Sequence, residues 1–294
     1  MLAAGDLLTT DGQIEWRGLV LGAGTRYRWV KLEGWNDLPP ARGGNTPHPS
    51  RHGTYLGRLL GDDRTITVEL LITGPLDVFR EAVAAVRAAT AWTEAPDEDP
   101  LVVRLHDQTH MVMARCVRRA IPTDRHYALG LTRAAIQWVA SDPRLLRLPA
   151  ETREVSLQAP PAGGMRFPLV FPLRVGAGGS GGEATLVTTG NAPAWPLYHL
   201  RGPVPGPVID LGGSILAFDP GFVVPAGQTL VIDTRHQAVT IDGTDLSRAD
   251  RLWTRQWAPI PPGTSTRVRF FSAAGSAGYS PDARLTVTWH HTDL

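Results

Sequence analysis

Hydrophobic and polar positions alternate over short stretches along most of this chain, and glycine and proline cut the stretches apart. Residues 14–21 read as one short strand. Residues 27–35 are clearer: Tyr27, Trp29, Lys31 and Glu33 fall opposite Arg28, Val30 and Leu32, the period of two that a strand imposes. Residues 64–72 repeat it, with Ile66, Val68 and Leu70 on one face. The period then changes. Gly74-Pro75 opens the one helix the pattern predicts, with proline in a first-turn position where its missing N–H is harmless. Leu76, Phe79, Val83, Val86 and Thr90 recur at three- and four-residue spacing after it. Residues 101–105 and 111–117 form a hairpin across a polar turn at 106–109, and 129–140 is a further strand. The region ends near residue 145 as a small α+β barrel with one packed helix.

Beyond a Pro-rich transition at residues 149–164 the helical period vanishes. Short apolar runs recur at 167–175, 184–188, 197–200, 215–218, 229–233, 238–241, 266–271 and 285–289, the spacing of a sandwich or jelly roll. In the last run Leu285, Val287 and Trp289 face one way and Thr286, Thr288 and His290 the other. The expected organisation is therefore an N-terminal domain at 1–148 and a second, all-β domain at 149–294.

One stretch follows neither period. Between the strands at 27–35 and 64–72 lies a long arm, residues 36–60, in which seven of the fifteen residues from 39 to 53 are Pro or Gly. Such a segment is neither helix nor central strand, and it reads as irregular. Loops this long inside a compact domain usually bind something or stay disordered.

Composition narrows the field. With 294 residues and 43% hydrophobic content there is material for two cores, and 31 Gly with 25 Pro suit a turn-rich β protein. A formal charge of +1, without a basic stripe, argues against reading nucleic acid sequence. Lys31 is the one lysine among 29 basic side chains; arginine forks into bidentate pairs suited to protein interfaces, although a coding bias would give the same count. The single Cys116 excludes an internal disulfide and is expected on a strand as a small apolar residue. No secretory signal is legible and no apolar run is long enough to span a membrane.

Chemistry-bearing patterns are few. Gly178-Gly179-Ser180-Gly181-Gly182 matches the nucleophile-elbow spacing, but that motif needs a strand before it and a helix after it, and here it lies between strands. His48 and His52, and likewise His106 and His110, are four apart without the helix that would align them on a metal. No phosphate loop or dinucleotide fingerprint is present, so no cofactor is expected. Trp195, Trp253 and Trp257 offer rings on which sugars could stack, or they serve as core and contact residues.

Set in order, several segments resemble the distal tail proteins of long-tailed phages. In the first half they are Leu32-Glu33-Gly34-Trp35, Ser50-Arg51-His52-Gly53-Thr54-Tyr55, Gly61-Asp62-Asp63-Arg64-Thr65-Ile66-Thr67-Val68 and Ala140-Ser141-Asp142-Pro143-Arg144. In the second they are Gly190-Asn191-Ala192-Pro193-Ala194-Trp195-Pro196, Gly202-Pro203, Val231-Ile232-Asp233-Thr234-Arg235, Val239-Thr240-Ile241, Pro261-Pro262-Gly263 and Leu285-Thr286-Val287-Thr288-Trp289. The resemblance implies a split-barrel N-terminal domain that forms a C6 homohexameric ring, and a galectin-like C-terminal sandwich. It implies a non-enzymatic hub in the virion tail, made in the host cytoplasm without insertion into a membrane. Its partners would be the tail tube protein, the tape-measure protein and tail-tip or receptor-binding proteins, with DNA passing through the channel. On this reading Pro39, Pro40, Arg42, Pro47, Pro49, Arg51, His52 and Tyr55 are candidate subunit-contact residues. The alternative is a carbohydrate-binding module acting through the sandwich and its tryptophans.

Overall fold

A computed structural model describes residues 3–159 and 181–294. The chain divides into two compact units, one of residues 1–148 with Asp293 and Leu294, the other of residues 149–292. Among the described residues it is mainly β, with a single α-helix, Leu76–Ala89. The run expected at 167–175 lies outside the described residues, and so does Ser180.

The first unit is an antiparallel sheet in the order Leu19–Gly22, Gln13–Trp16, Asp99–Leu105, Gln108–Ala120, Leu131–Ala140, Arg64–Thr73, Tyr27–Glu33. Residues 14–21 are therefore two strands and not one. Arg17 and Gly18 both take positive φ and reverse the chain between them, a two-residue turn whose twist matches the strands it joins. His106 and Asp107 do the same between Leu105 and Gln108. Tyr27–Glu33 reaches across to the other end of the path through one side chain: Trp29 Nε1 donates to the carbonyl of Gly12, just before Gln13–Trp16, at 2.6 Å. Gly22 is required there, because a Cβ would stand 2.0 Å from the Gly12 oxygen and 2.8 Å from the Trp29 ring.

The strand Tyr27–Glu33 departs from simple alternation. Its register shifts between Trp29 and Lys31 against Arg64–Thr73, so Leu32 turns toward the core while Val30 is exposed. Ile66, Val68, Leu70 and Ile72 are all buried, as alternation requires. The helix buries Phe79, Ala82, Val83, Val86 and Ala89 in the same core, whereas Leu76, expected on the apolar stripe, is exposed in the first turn. Pro75 stands at the N-cap position, just outside the first turn expected for it, and makes no side-chain cap bond; Asp77 lies in the first turn and Arg87 in the last, both matched to the helix dipole. The barrel holds the helix by its carbonyls: Tyr27 Oη donates to Ala82 at 3.1 Å and Trp16 Nε1 to Ala89 at 2.8 Å.

Among the described residues the second unit has two five-stranded antiparallel sheets and a small two-stranded one, Val204–Pro205 with Val223–Val224. Of the larger two, one runs Glu151–Ser156, Arg284–Trp289, Leu197–Arg201, Thr229–Asp233, Ala238–Ile241; the other Glu183–Val187, Ser265–Ser272, Pro207–Leu211, Ser214–Phe218, Leu252–Arg255. Side chains of both meet in one core that includes Tyr198, Ile232, Leu285 and Val287 from the first and Ile209, Phe218, Val268 and Phe270 from the second. Three strands of the two larger sheets are additions to the sequence reading. Glu151–Ser156 was hidden by the prolines around it, and Leu252–Arg255 is a short edge. Pro207–Leu211 is buried at every position and so shows no alternation. Its Asp210 is buried in an ion pair with Arg269, whose Nε lies 3.1 Å away.

Candidate assembly surface

The arm is not irregular. It leaves the barrel after Trp35 and returns at Asp62 as a β-hairpin, with Ala41–Gly43 paired to Leu59–Gly61 and Thr46–Pro47 to Thr54–Tyr55. The pattern hid this because the ladders are only three and two residues long and are interrupted by Gly44-Asn45 and Leu56-Gly57-Arg58. Asn45 Oδ1 bridges that interruption by accepting the Gly57 N–H at 3.0 Å. At the tip the His48 N–H donates to the Gly53 carbonyl at 3.0 Å, and the His48 ring stands edge-on to Tyr55 with centroids 4.0 Å apart. His48 is thus a packing residue of the turn.

The two strands of the arm differ. Pro39, Pro40, Pro47 and Pro49 are all on the outgoing side, where fixed φ angles stiffen the chain and the missing N–H groups blunt that edge. The returning side has no proline, and it presents Tyr55, Leu56, Leu59 and Leu60 to solvent, with Leu56 86% exposed. Arg51 and His52 are exposed at the tip. Arg42 faces Asp62, its Nε 3.4 Å from Oδ1.

The root is held by a residue the sequence reading placed in a turn and strand but not in any site. Arg64 begins the strand Arg64–Thr73 on its core-facing side and is 2% exposed. Its Nη1 lies 2.7, 2.9 and 2.7 Å from the carbonyl oxygens of Gly34, Trp35 and Asp37, and its Nε donates to Pro143 at 2.6 Å. Burial pushes its pKa down, with the Asp37 charge acting the other way, and the four carbonyls satisfy the buried cation. Gly34 has to be glycine: at φ +79 a Cβ would stand 1.9 Å from the Thr65 carbonyl oxygen. The signal for Arg64 was its place in the alternation, since 64, 66, 68 and 70 share a face.

The remaining candidates are scattered. Trp253 is 75% exposed on the edge strand Leu252–Arg255, Trp257 packs on the core of the second unit and Trp195 is half-buried. Among the described residues no ring contact joins these three. His110 lies 3.3 Å from Asp293, which also accepts from Arg147 Nε at 2.6 Å; burial lowers the His110 pKa against the pull of Asp293. Cys116 is buried on its strand and burial raises its thiol pKa. Among the described residues no three His, Cys, Asp or Glu side chains converge as metal ligands, and no helix is long and apolar enough to cross a membrane.

No protein-family profile matches this chain, and no curated protein matches it in sequence. Solved structures do. SPP1 Dit (gp 19.1), described as a paradigm of the hub adsorption apparatus in Gram-positive infecting phages, superposes with a TM-score of 0.62 at 11% identity. The match covers 96% of this chain and 99% of that one. This chain has the Dit fold. A component of the phage P2 baseplate, in its activated conformation with Ca, matches at a TM-score of 0.51 and 10% identity over 94% of this chain and 97% of that one. With 96% and 94% of the chain covered, the likeness is not confined to one of the two units.

Proposed function

We propose that this protein is a structural, non-enzymatic distal tail hub of a long-tailed phage or phage-derived particle. Six copies close into a ring that joins the tail tube to the tip and leaves a channel for the tape-measure protein and DNA. The observation that carries the reading is the end-to-end Dit fold. The arm supports it. A two-stranded ribbon is marginal in water, and one that exposes four large apolar side chains on its returning strand gains a cover when another subunit lies against it. A ring needs such a heterologous contact, one patch meeting a different patch on the next copy. Tyr55, Leu56, Leu59 and Leu60 supply its apolar part and Arg51 and His52 its tip, while the four prolines lower the ordering cost.

Light scattering of the purified protein, with negative-stain imaging, tests this reading. The intact chain is expected to form rings of six. A variant with residues 41–61 replaced by a short Gly-Ser turn is expected to remain a folded monomer, since the flanking Pro40 and Asp62 are already joined, the Asp62 N–H donating to the Pro40 carbonyl at 2.7 Å. Intact rings from that variant would refute the role of the arm.

A further inference from the structure

A second surface on the first unit stands apart from the arm. The helix ends at Thr90, whose Oγ1 donates to Val86 and accepts from Arg119 Nη1 at 2.9 Å. The next carbonyl, Ala91, accepts from Arg17 Nη1 at 2.9 Å, and Arg17 Nε donates to Asp99 at 2.7 Å. The backbone is therefore gripped by arginine immediately before Trp92, and Trp92 is held outward, 78% exposed. A cleft lies on each side of it. One, of about 260 Å³, is lined by Arg17, Thr93, Arg115, Cys116 and Val117; the other, of about 450 Å³, by Arg87, Thr90 and Arg119.

Most of the positive charge of these clefts has no carboxylate partner among the described residues. Asp99 neutralises Arg17, but among the described residues Arg87 and Arg115 meet no carboxylate, and Arg119 is anchored only to a carbonyl and a hydroxyl. Of the acids that follow Trp92, Glu98 is committed to Ser141 at 2.8 and 2.9 Å, and Glu94 and Asp97 line neither cleft. Three cationic forks thus line the clefts beside one exposed indole, with the exposed Val117 on the same side as Arg115. Tryptophan and arginine are the side chains that most often dominate protein contacts, and a guanidinium pairs with a carboxylate through two parallel hydrogen bonds.

We propose that the Trp92 surface is a docking site for an acidic peptide segment of a partner polypeptide. Carboxylates of that segment pair with Arg87, Arg115 and Arg119, and an apolar side chain packs on Trp92. A nucleic acid strand fits less well, because the basic side chains ring a single tryptophan, whereas a single strand is held by several aromatic rings in succession. The site does not depend on the ring reading.

The test uses the full chain grown on fluorotryptophan, with the Trp92 resonance assigned by its loss in Trp92→Phe. The probes are a capped peptide alternating glutamate and leucine, its glutamine counterpart, and a thymidine oligonucleotide. The acidic peptide is expected to move the Trp92 resonance, with affinity falling about tenfold between low and physiological salt. The glutamine peptide is expected to leave it in place, and Arg87→Ser with Arg115→Ser to abolish the response. An unmoved resonance, or an unchanged response in the double variant, overturns the proposal. Tighter binding of the oligonucleotide overturns it in favour of a nucleic acid surface. A resonance that shifts with protein concentration alone overturns it in favour of a second copy as the occupant.

Discussion

Two neighbouring stretches of this chain adopt the same extended backbone and treat their leucines in opposite ways. In Arg64–Thr73 the leucine at 70 is fully buried between barrel and helix, and its partners Tyr27–Glu33 and Leu131–Ala140 pair both of its edges. In the arm just before it, Leu56, Leu59 and Leu60 point into solvent and each strand has a single partner. Extended structure is therefore not what distinguishes a core strand from a surface one here. The difference is whether the chain itself supplies the cover, and in the arm it does not.

The strongest way to break the contrast is to cut the two stretches apart at Arg64. Arg64→Ala strands the carbonyls of Gly34, Trp35, Asp37 and Pro143 and is expected to cost about 3–5 kcal/mol in urea unfolding. Amide exchange should show residues 38–61 losing protection first. Arg64→Lys is expected to recover only part of this, since an ammonium cannot fork to carbonyls on two segments. An Arg64→Ala protein as stable as the parent would mean that the root is held by something other than this cation.

A matched pair of leucines sharpens the comparison. Leu70→Ala should destabilise by about 2–4 kcal/mol, because the cavity it leaves is enclosed. Leu56→Ala should leave monomer stability within about 0.5 kcal/mol. If Leu56→Ala unfolded the chain as Leu70→Ala does, the arm would be a core element and its exposure irrelevant.

The barrel strands were legible because one buried face imposes the period of two. The arm was legible only as an interruption: its prolines announced that no helix or central strand could form, but nothing in residues 36–60 marks the cross-strand partners, since neither face is buried. Pro207–Leu211 was missed for the opposite reason, burial on both faces, which erases alternation just as exposure on both faces does. Trp29 and Leu32 show a third limit, for a one-residue bulge reverses every facing after it without changing composition. Arg64 was visible in the pattern as the charged member of an apolar face, and its role depends on Gly34–Asp37 and Pro143, which only the fold brings to it.

The smallest effect expected is a pH response in the barrel. Burial lowers the His110 pKa, so the fold favours the neutral ring: its contribution is complete above the ordinary value of 6.5, declines as pH falls below it, and levels off beneath the lowered folded value. Melting temperatures of His110→Gln and the parent should therefore converge or diverge only across that window. Equal pH slopes in the two proteins would remove His110 as a contributor.

The clamp at Arg64 also decides how force moves through the arm. A ribbon attached by a single flexible residue would swing, and a push at its tip would be lost in rotation at the base. Here the base is fastened at Gly34, Trp35 and Asp37 on one side and Pro143 on the other, all to one guanidinium in a barrel strand. Once a partner covers and stiffens the ribbon, a load applied between residues 48 and 53 is expected to reach the strand Arg64–Thr73 through this fastening. Whatever grips the tip is thereby mechanically coupled to the barrel wall.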